Sequence, residues 1–163
     1  MSTRSQIQVR QTGMQGDWDD KITLYHHSDG YPSNILTLIQ KAYEDVKSGA
    51  IFALNEDMKR LHDEYPKYTL WKLGRAGKVA SYLCAEDPGE FEPEAGHELH
   101  GDIEWYYIVE CVNEHGGSMA ENPTWKIYIY EMQGFDNTEL PEPLDVIDVS
   151  EIDKWLNEHE NLY

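Results

Sequence analysis

Between Asp102 and Val112 the chain alternates without a break. Ile103, Trp105, Tyr107, Val109 and Cys111 fall on one side, and Glu104, Tyr106, Ile108 and Glu110 on the other. A repeat of two is the signature of an extended strand, whose successive side chains point to opposite faces. Thr124 to Met132 repeats the pattern, with Trp125, Ile127, Ile129 and Glu131 on one side and Lys126, Tyr128, Tyr130 and Met132 on the other. The turn residues Asn113-Glu114-His115-Gly116-Gly117 lie between them. Such segments demand a sheet with at least one buried face, in which most of these aromatics serve as cross-strand core pairs.

The rest of the chain supplies what covers that face. Residues 5–11 and Lys21 to His26 alternate as well and predict a hairpin with a long connection. Asp29-Gly30-Tyr31-Pro32-Ser33 is turn chemistry, and Ser33 or Asn34 is placed to cap a helix. Ile35, Leu38, Ile39, Ala42, Tyr43 and Val46 then recur at helical spacing, and Ser48-Gly49 ends the run. Further helices are predicted over 56–64 and from about Thr69 to Cys84. Residues 85–101 read as one long acidic connection. Residues 133–163 form an acidic C-terminal segment, with an apolar stretch Leu144-Asp145-Val146-Ile147 and a last helix capped by Ser150. The expected architecture is a single α+β domain spanning 1–163. Its core is an antiparallel sheet of about four strands, covered by helices on one face.

Charge narrows the functional classes. The formal net charge is -18, and it is not evenly spread. Residues 1–78 carry eleven Lys and Arg against ten Asp and Glu, whereas residues 79–163 carry two against twenty-one. A halophile's acidic coat would cover the whole chain, and solubility alone needs a net charge of only about 2–8. A strongly acidic half repels phosphate backbones, which argues against direct nucleic-acid binding. It favours a partner with a basic surface. The 5 Trp, 11 Tyr and 3 Phe are too many for a disordered acidic tail.

Candidate chemistry is sparse. His26, His27 and Asp29, or His97 and His100, could contribute to a metal-dependent enzyme or a metal-binding domain. Adjacent strand residues face opposite ways, so His26 and His27 share a site only where the strand has ended. His97 and His100 are three residues apart, whereas a zinc-protease helix needs four. No Gly-x-Ser-x-Gly elbow is present, and Cys84 and Cys111 sit in apolar patterns expected of inert core thiols. No catalytic residue, metal or cofactor is expected. No apolar run reaches the ~20 residues of a membrane span, and no secretory signal opens the chain, so a cytoplasmic location is expected.

Thr3-Arg4-Ser5-x-Ile7, followed by a strand and by His27-x-Asp29-Gly30-Tyr31-Pro32, resembles a loose group of small phage and prokaryotic proteins. These begin with a similar Thr-Arg-Ser segment and carry a His/Tyr-x-Asp-Gly-Tyr-Pro turn before a helix. Later strands like Asp102–Tyr107 and Trp125–Tyr128 are shared by several of them. The resemblance implies a phage or mobile-element origin and an α+β fold, and it assigns no catalytic residues. The acidic stretch 85–100 and the acidic tail lie outside the shared pattern. Together with the charge, it leads to an expected function: an acidic binding protein acting as a DNA mimic. Its partner would be a basic nucleic-acid-binding defence complex of the host, of the CRISPR or restriction type. The residues expected to meet that partner are Glu86, Asp87, Glu90, Glu92, Glu94 and Glu98, then Asp145, Asp148, Glu151 and Asp153. An oligomeric interaction module built on the aromatic strands is the other alternative to the metal site.

Overall fold

The computed structural model describes residues 3–13, 21–48, 79–87, 89–94, 96–113 and 124–160. In chain order the elements are β1 (Ser5–Gly13), β2 (Lys21–His26) and α1 (Pro32–Ser48). Residues 79–86 form α2. Then come β3 (Phe91–Pro93), β4 (Trp105–Asn113), β5 (Thr124–Glu131), β6 (Asp145–Asp148) and α3 (Ile152–Glu158). The helix expected over 56–64, and residues 69–78 of the next one, lie outside the described residues.

The class is α+β, as expected, but the sheet departs from the expected four antiparallel strands. Among the described residues it has six, in the order β3-β2-β1-β4-β5-β6. Its central pair, β1 and β4, runs parallel, from Ser5 opposite Trp105 to Gly13 opposite Asn113. Every other pairing is antiparallel. Alternation reveals which face a residue occupies and carries no mark of its neighbour's direction, so the parallel pair was invisible in the pattern. β3 has three residues and β6 four, too few to show a period inside the two acidic stretches that contain them.

One face of the sheet is the main core. Ile7, Val9, Ile22, Leu24, Tyr107, Val109, Ile127 and Ile129 are fully buried there beneath the helices. Helix α1 contributes Ile35, Leu36, Leu38, Ile39, Ala42 and Val46, whose spacing of three and four makes one apolar stripe. Pro32 opens this helix where no amide donor is needed. Asn34, expected as a cap, instead donates its side-chain amide to the Asp29 carbonyl at 2.8 Å. Val79, Ala80, Leu83 and Cys84 of α2 and Ile152 and Trp155 of α3 join the same core. Tyr107 Oη donates to the Gly30 carbonyl at 2.7 Å, tying the sheet centre to the turn before α1. Gly30 is needed at that turn: a Cβ there would lie 2.6 Å from Ser5 Oγ and 2.8 Å from the Thr3 carbonyl.

Ser150, expected as the cap of the C-terminal helix, does not cap it: the N-cap is Glu151, which makes no side-chain capping bond, and the cap stands one turn earlier. Asp148, not Ser150, accepts from the Ser150 amide at 2.9 Å, and Glu151 returns the favour to the Asp148 amide at 3.0 Å. This reciprocal capping box opens a 3-10 turn, Val149–Glu151, that leads into α3.

The second face carries a smaller cluster of Ile103, Tyr106, Ile108, Tyr130 and Met132. Ile103, expected on the Trp105 side, belongs here because residues 103 and 104 precede β4 and do not follow its pleat. The connection from β3 to β4 lies over this face and is held by Gln6, a fully buried side chain. Gln6 Nε2 donates to Glu94 Oε1 and to the Glu98 carbonyl, both at 2.9 Å. Its Oε1 accepts from the His100 amide at 2.9 Å. Among the described residues, no helix is long and apolar enough to cross a membrane. Gln6→Leu keeps the bulk and leaves the Glu98 carbonyl and His100 amide unpaired. It is expected to cost about 1–3 kcal/mol in urea unfolding, with faster hydrogen exchange at His100.

Candidate functional site

The register of the sheet collects six strand termini at one end. Ser5 lies opposite both His26 and Trp105, His26 opposite Phe91, Trp105 opposite Glu131, and Ile129 opposite Asp145. Acidic residues stand at five of these six termini. Asp87 and Glu90 precede β3, Asp29 follows β2, Asp102 and Glu104 precede β4, Glu131 ends β5 and Asp145 begins β6. Five interstrand steps make this acidic end roughly 24 Å wide. β1 is the exception: Arg4 precedes it, and its guanidinium is paired with Asp102 at 2.9 Å.

The opposite end of the sheet is mixed in charge. Arg10 pairs in register with Lys21 on one side and Glu110 on the other, and Glu110 with Lys126. Arg10 is ion-paired with Glu110 at 2.7 Å and lies over the Tyr128 ring, as does Lys126. These bases face acids there, since Lys126 is also the register partner of Asp148 at the end of β6, whereas at the acidic end the carboxylates outnumber the bases.

The segment after β5 builds the surface of the acidic end. Met132 and Gly134 donate their amides to the Glu104 and Ile103 carbonyls. Asn137, almost fully buried, accepts from the Gln133 amide at 3.0 Å and donates to the Gly101 and Ile103 carbonyls at 3.0 and 2.8 Å. Between these anchors Gly134 and Asp136 both take positive φ, 82° and 49°. They hold Phe135 outward, 65% exposed. Beside this turn is a cleft of about 420 Å³, lined by Thr3, Tyr31, Glu104, Trp105, Glu131, Met132 and Gln133.

The ten acids expected from the sequence fall into two sets on opposite edges of the sheet. Near β3, Asp87 bonds His26 Nε2 at 2.8 Å, Glu90 accepts from Ser28 Oγ at 2.9 Å, and Glu94 bonds Gln6 and His100. Glu92 and Glu98 are exposed. Glu86 is half-buried and hydrogen-bonded to Asp45. That bond, then desolvation and the Asp45 charge, push its carboxyl up to about 7, against a smaller opposing pull from Lys41. Near β6, Asp145 accepts from Trp155 Nε1 at 2.9 Å. Asp148 and Glu151 form the capping box, and Asp153 accepts from Gln40 at 3.1 Å. Several of these acids therefore hold the fold together, while Asp102, Glu104 and Glu131, which complete the acidic end, were not singled out in the sequence. Glu131 did leave a signal: it is the polar residue on the apolar side of an otherwise regular alternation, where β5 stops.

The histidines are dispersed. His26 is buried on the helix-covered face against Phe91, and His27 is exposed. Asp29 accepts from Tyr31 Oη at 3.1 Å. His97 bonds Thr23 Oγ1, and His100 bonds Glu94 while stacking on Tyr25. Among the described residues, no three His, Cys, Asp or Glu side chains are grouped to hold a metal. Cys84 and Cys111 are buried and not disulfide-bonded. Of the strand aromatics, Trp105, Tyr107 and Trp125 lie in the main core and Tyr106 and Tyr130 in the second cluster, edge to face at 5.9 Å.

Compared with known proteins, the chain matches no family model, no curated protein and no solved structure. The functional reading rests on the site's own geometry. For Glu86, a folded-state pKa of about 7 against an ordinary 4.5 means that its contribution is complete below pH 4.5 and is lost as pH rises through 7. Glu86→Gln is expected to flatten the melting-temperature profile across that window and to melt above the parent at pH values over 7, as read by calorimetry.

Proposed function

We propose that this chain is a non-catalytic binding protein. Its acidic sheet end occupies the basic, nucleic-acid-binding surface of a protein partner and acts as a decoy for DNA. One observation carries the reading: acids stand at five of six adjacent strand termini, whereas at the far end Arg10 and Lys126 are in register with Glu110 and Asp148. Strand order brings these carboxylates, far apart in sequence, to one end of the sheet roughly 24 Å wide. Negative charge gathered over that width offers a basic groove a substitute for a run of phosphates and steers the encounter. The resemblance of the Thr3–Ile7 and His27–Pro32 segments to phage proteins points to the partner class: a host defence complex of the CRISPR or restriction type.

The test is capture by the immobilised chain from a host lysate at low and high salt, with duplex DNA as competitor. Captured proteins are expected to be released both by salt and by DNA. Capture that resists both, or no capture at low salt, would overturn the reading. Neutralising Asp29, Asp102 and Glu131 together is expected to weaken the interaction about tenfold and to reduce its salt slope, since exposed charges contribute roughly 0.2–1 kcal/mol each.

A further inference from the structure

We infer that the cleft between the start of β4 and the end of β5 receives an arginine side chain from the basic partner, with Phe135 as the apolar anchor beside it. This deepens the binding reading above and rests on it. The cleft has the chemistry of a guanidinium site. Glu104 and Glu131 bring two carboxylates to it, and they come from adjoining strand termini, since Glu131 is the register partner of Trp105. Tyr31, half-buried, brings an aromatic ring, the core residue Trp105 closes the floor, and Gln133 and Thr3 bring polar groups. Carboxylates fork onto a planar guanidinium, and aromatic faces stack on it. An ammonium group gains the charge attraction but neither the fork nor the stack.

Phe135 is an independent observation at the same place. A large aromatic that is 65% exposed gains nothing for the isolated chain. Yet the turn displaying it is heavily built. Asn137 is spent on three hydrogen bonds, and Asp136 accepts a left-handed backbone that disfavours side chains. The turn is seated against the cleft wall: a Cβ on Gly134 would lie 3.3 Å from Glu104 Cγ. A preordered aromatic next to a charged cleft is the arrangement of an interface hot spot, a desolvated anchor beside charged contacts. The surrounding acids select a basic protein surface as the occupant.

The probes are N-acetyl-arginine amide and N-acetyl-lysine amide, titrated into the full chain and followed by NMR. The arginine probe is expected to give saturable shifts at the Trp105 indole, Tyr31 and Gln133, with the lysine probe at least threefold weaker. Glu104→Gln combined with Glu131→Gln is expected to weaken the arginine probe at least tenfold, whereas Glu44→Gln with Glu158→Gln, both exposed and away from the cleft, leaves it within twofold. Phe135→Ala is expected to leave the single-residue probe unchanged and to abolish the advantage of an Arg-Leu alternating peptide over an Arg-Ser one. Equal shifts at Glu44 and Glu158, equal affinity of the two probes, or unaltered binding by the double Gln variant would overturn the assignment. If the cleft fails while salt-sensitive, DNA-displaced capture persists, only the cleft is wrong. If the cleft binds arginine and capture fails, the decoy reading falls.

Discussion

Parallel pairing of β1 with β4 decides how the remaining chain must run. Two parallel neighbours cannot be joined by a tight turn, so the chain between them has to leave the sheet and return. Here it builds β2 and β3, on the far side of β1, and helical cover before re-entering beside β1. Its final leg, from β3 to β4, crosses the face opposite the helices, where polar backbone would be costly to bury. Gln6 resolves that cost by pairing Glu98, His100 and Glu94 from within β1 itself. The same leg delivers Asp102 and Glu104 to the start of β4, so the polar anchor and the acidic end have one structural origin.

The charge arrangement has energetic sides that pull against each other. Carboxylates gathered on one end of a small domain repel one another and destabilise the compact state. The fold offsets part of this by using acids as hydrogen-bond acceptors: Asp148 at a cap, Asp145 for the Trp155 indole, Glu94 and Asp87 for histidines. Glu86 shows the other accommodation, holding a proton with Asp45 where two charges would otherwise meet.

Much of the fold was legible because burial on one side imposes a period. The bounds of β2 coincide with the predicted strand, and β1, β4, β5, α1 and the last helix appear where periodicity placed them. β3 and β6 escaped because three and four residues are too short for a period. Phe91-Glu92-Pro93 looks like loop composition until β2 supplies its hydrogen-bond partner. For the site, net charge by halves was readable, but its arrangement was not. Asp87 and Glu131 are 44 positions apart in the chain and meet at one end of the sheet only through strand order. Phe135 carried no periodic signal at all, since its position depends on the positive φ of its two neighbours.

The brevity of the two outer strands has a consequence for how the molecule behaves among copies of itself. An open sheet edge is a template on which another chain's backbone can add. On one side the template is three residues long, contains Pro93, which has no amide to donate, and sets Glu92 outward. On the other it is four residues long and bounded by Asp145 and Asp148. A second copy approaching either rim would have to stack like charge on like charge to form only a few hydrogen bonds. The described rims of the sheet thus offer another backbone short and charged templates.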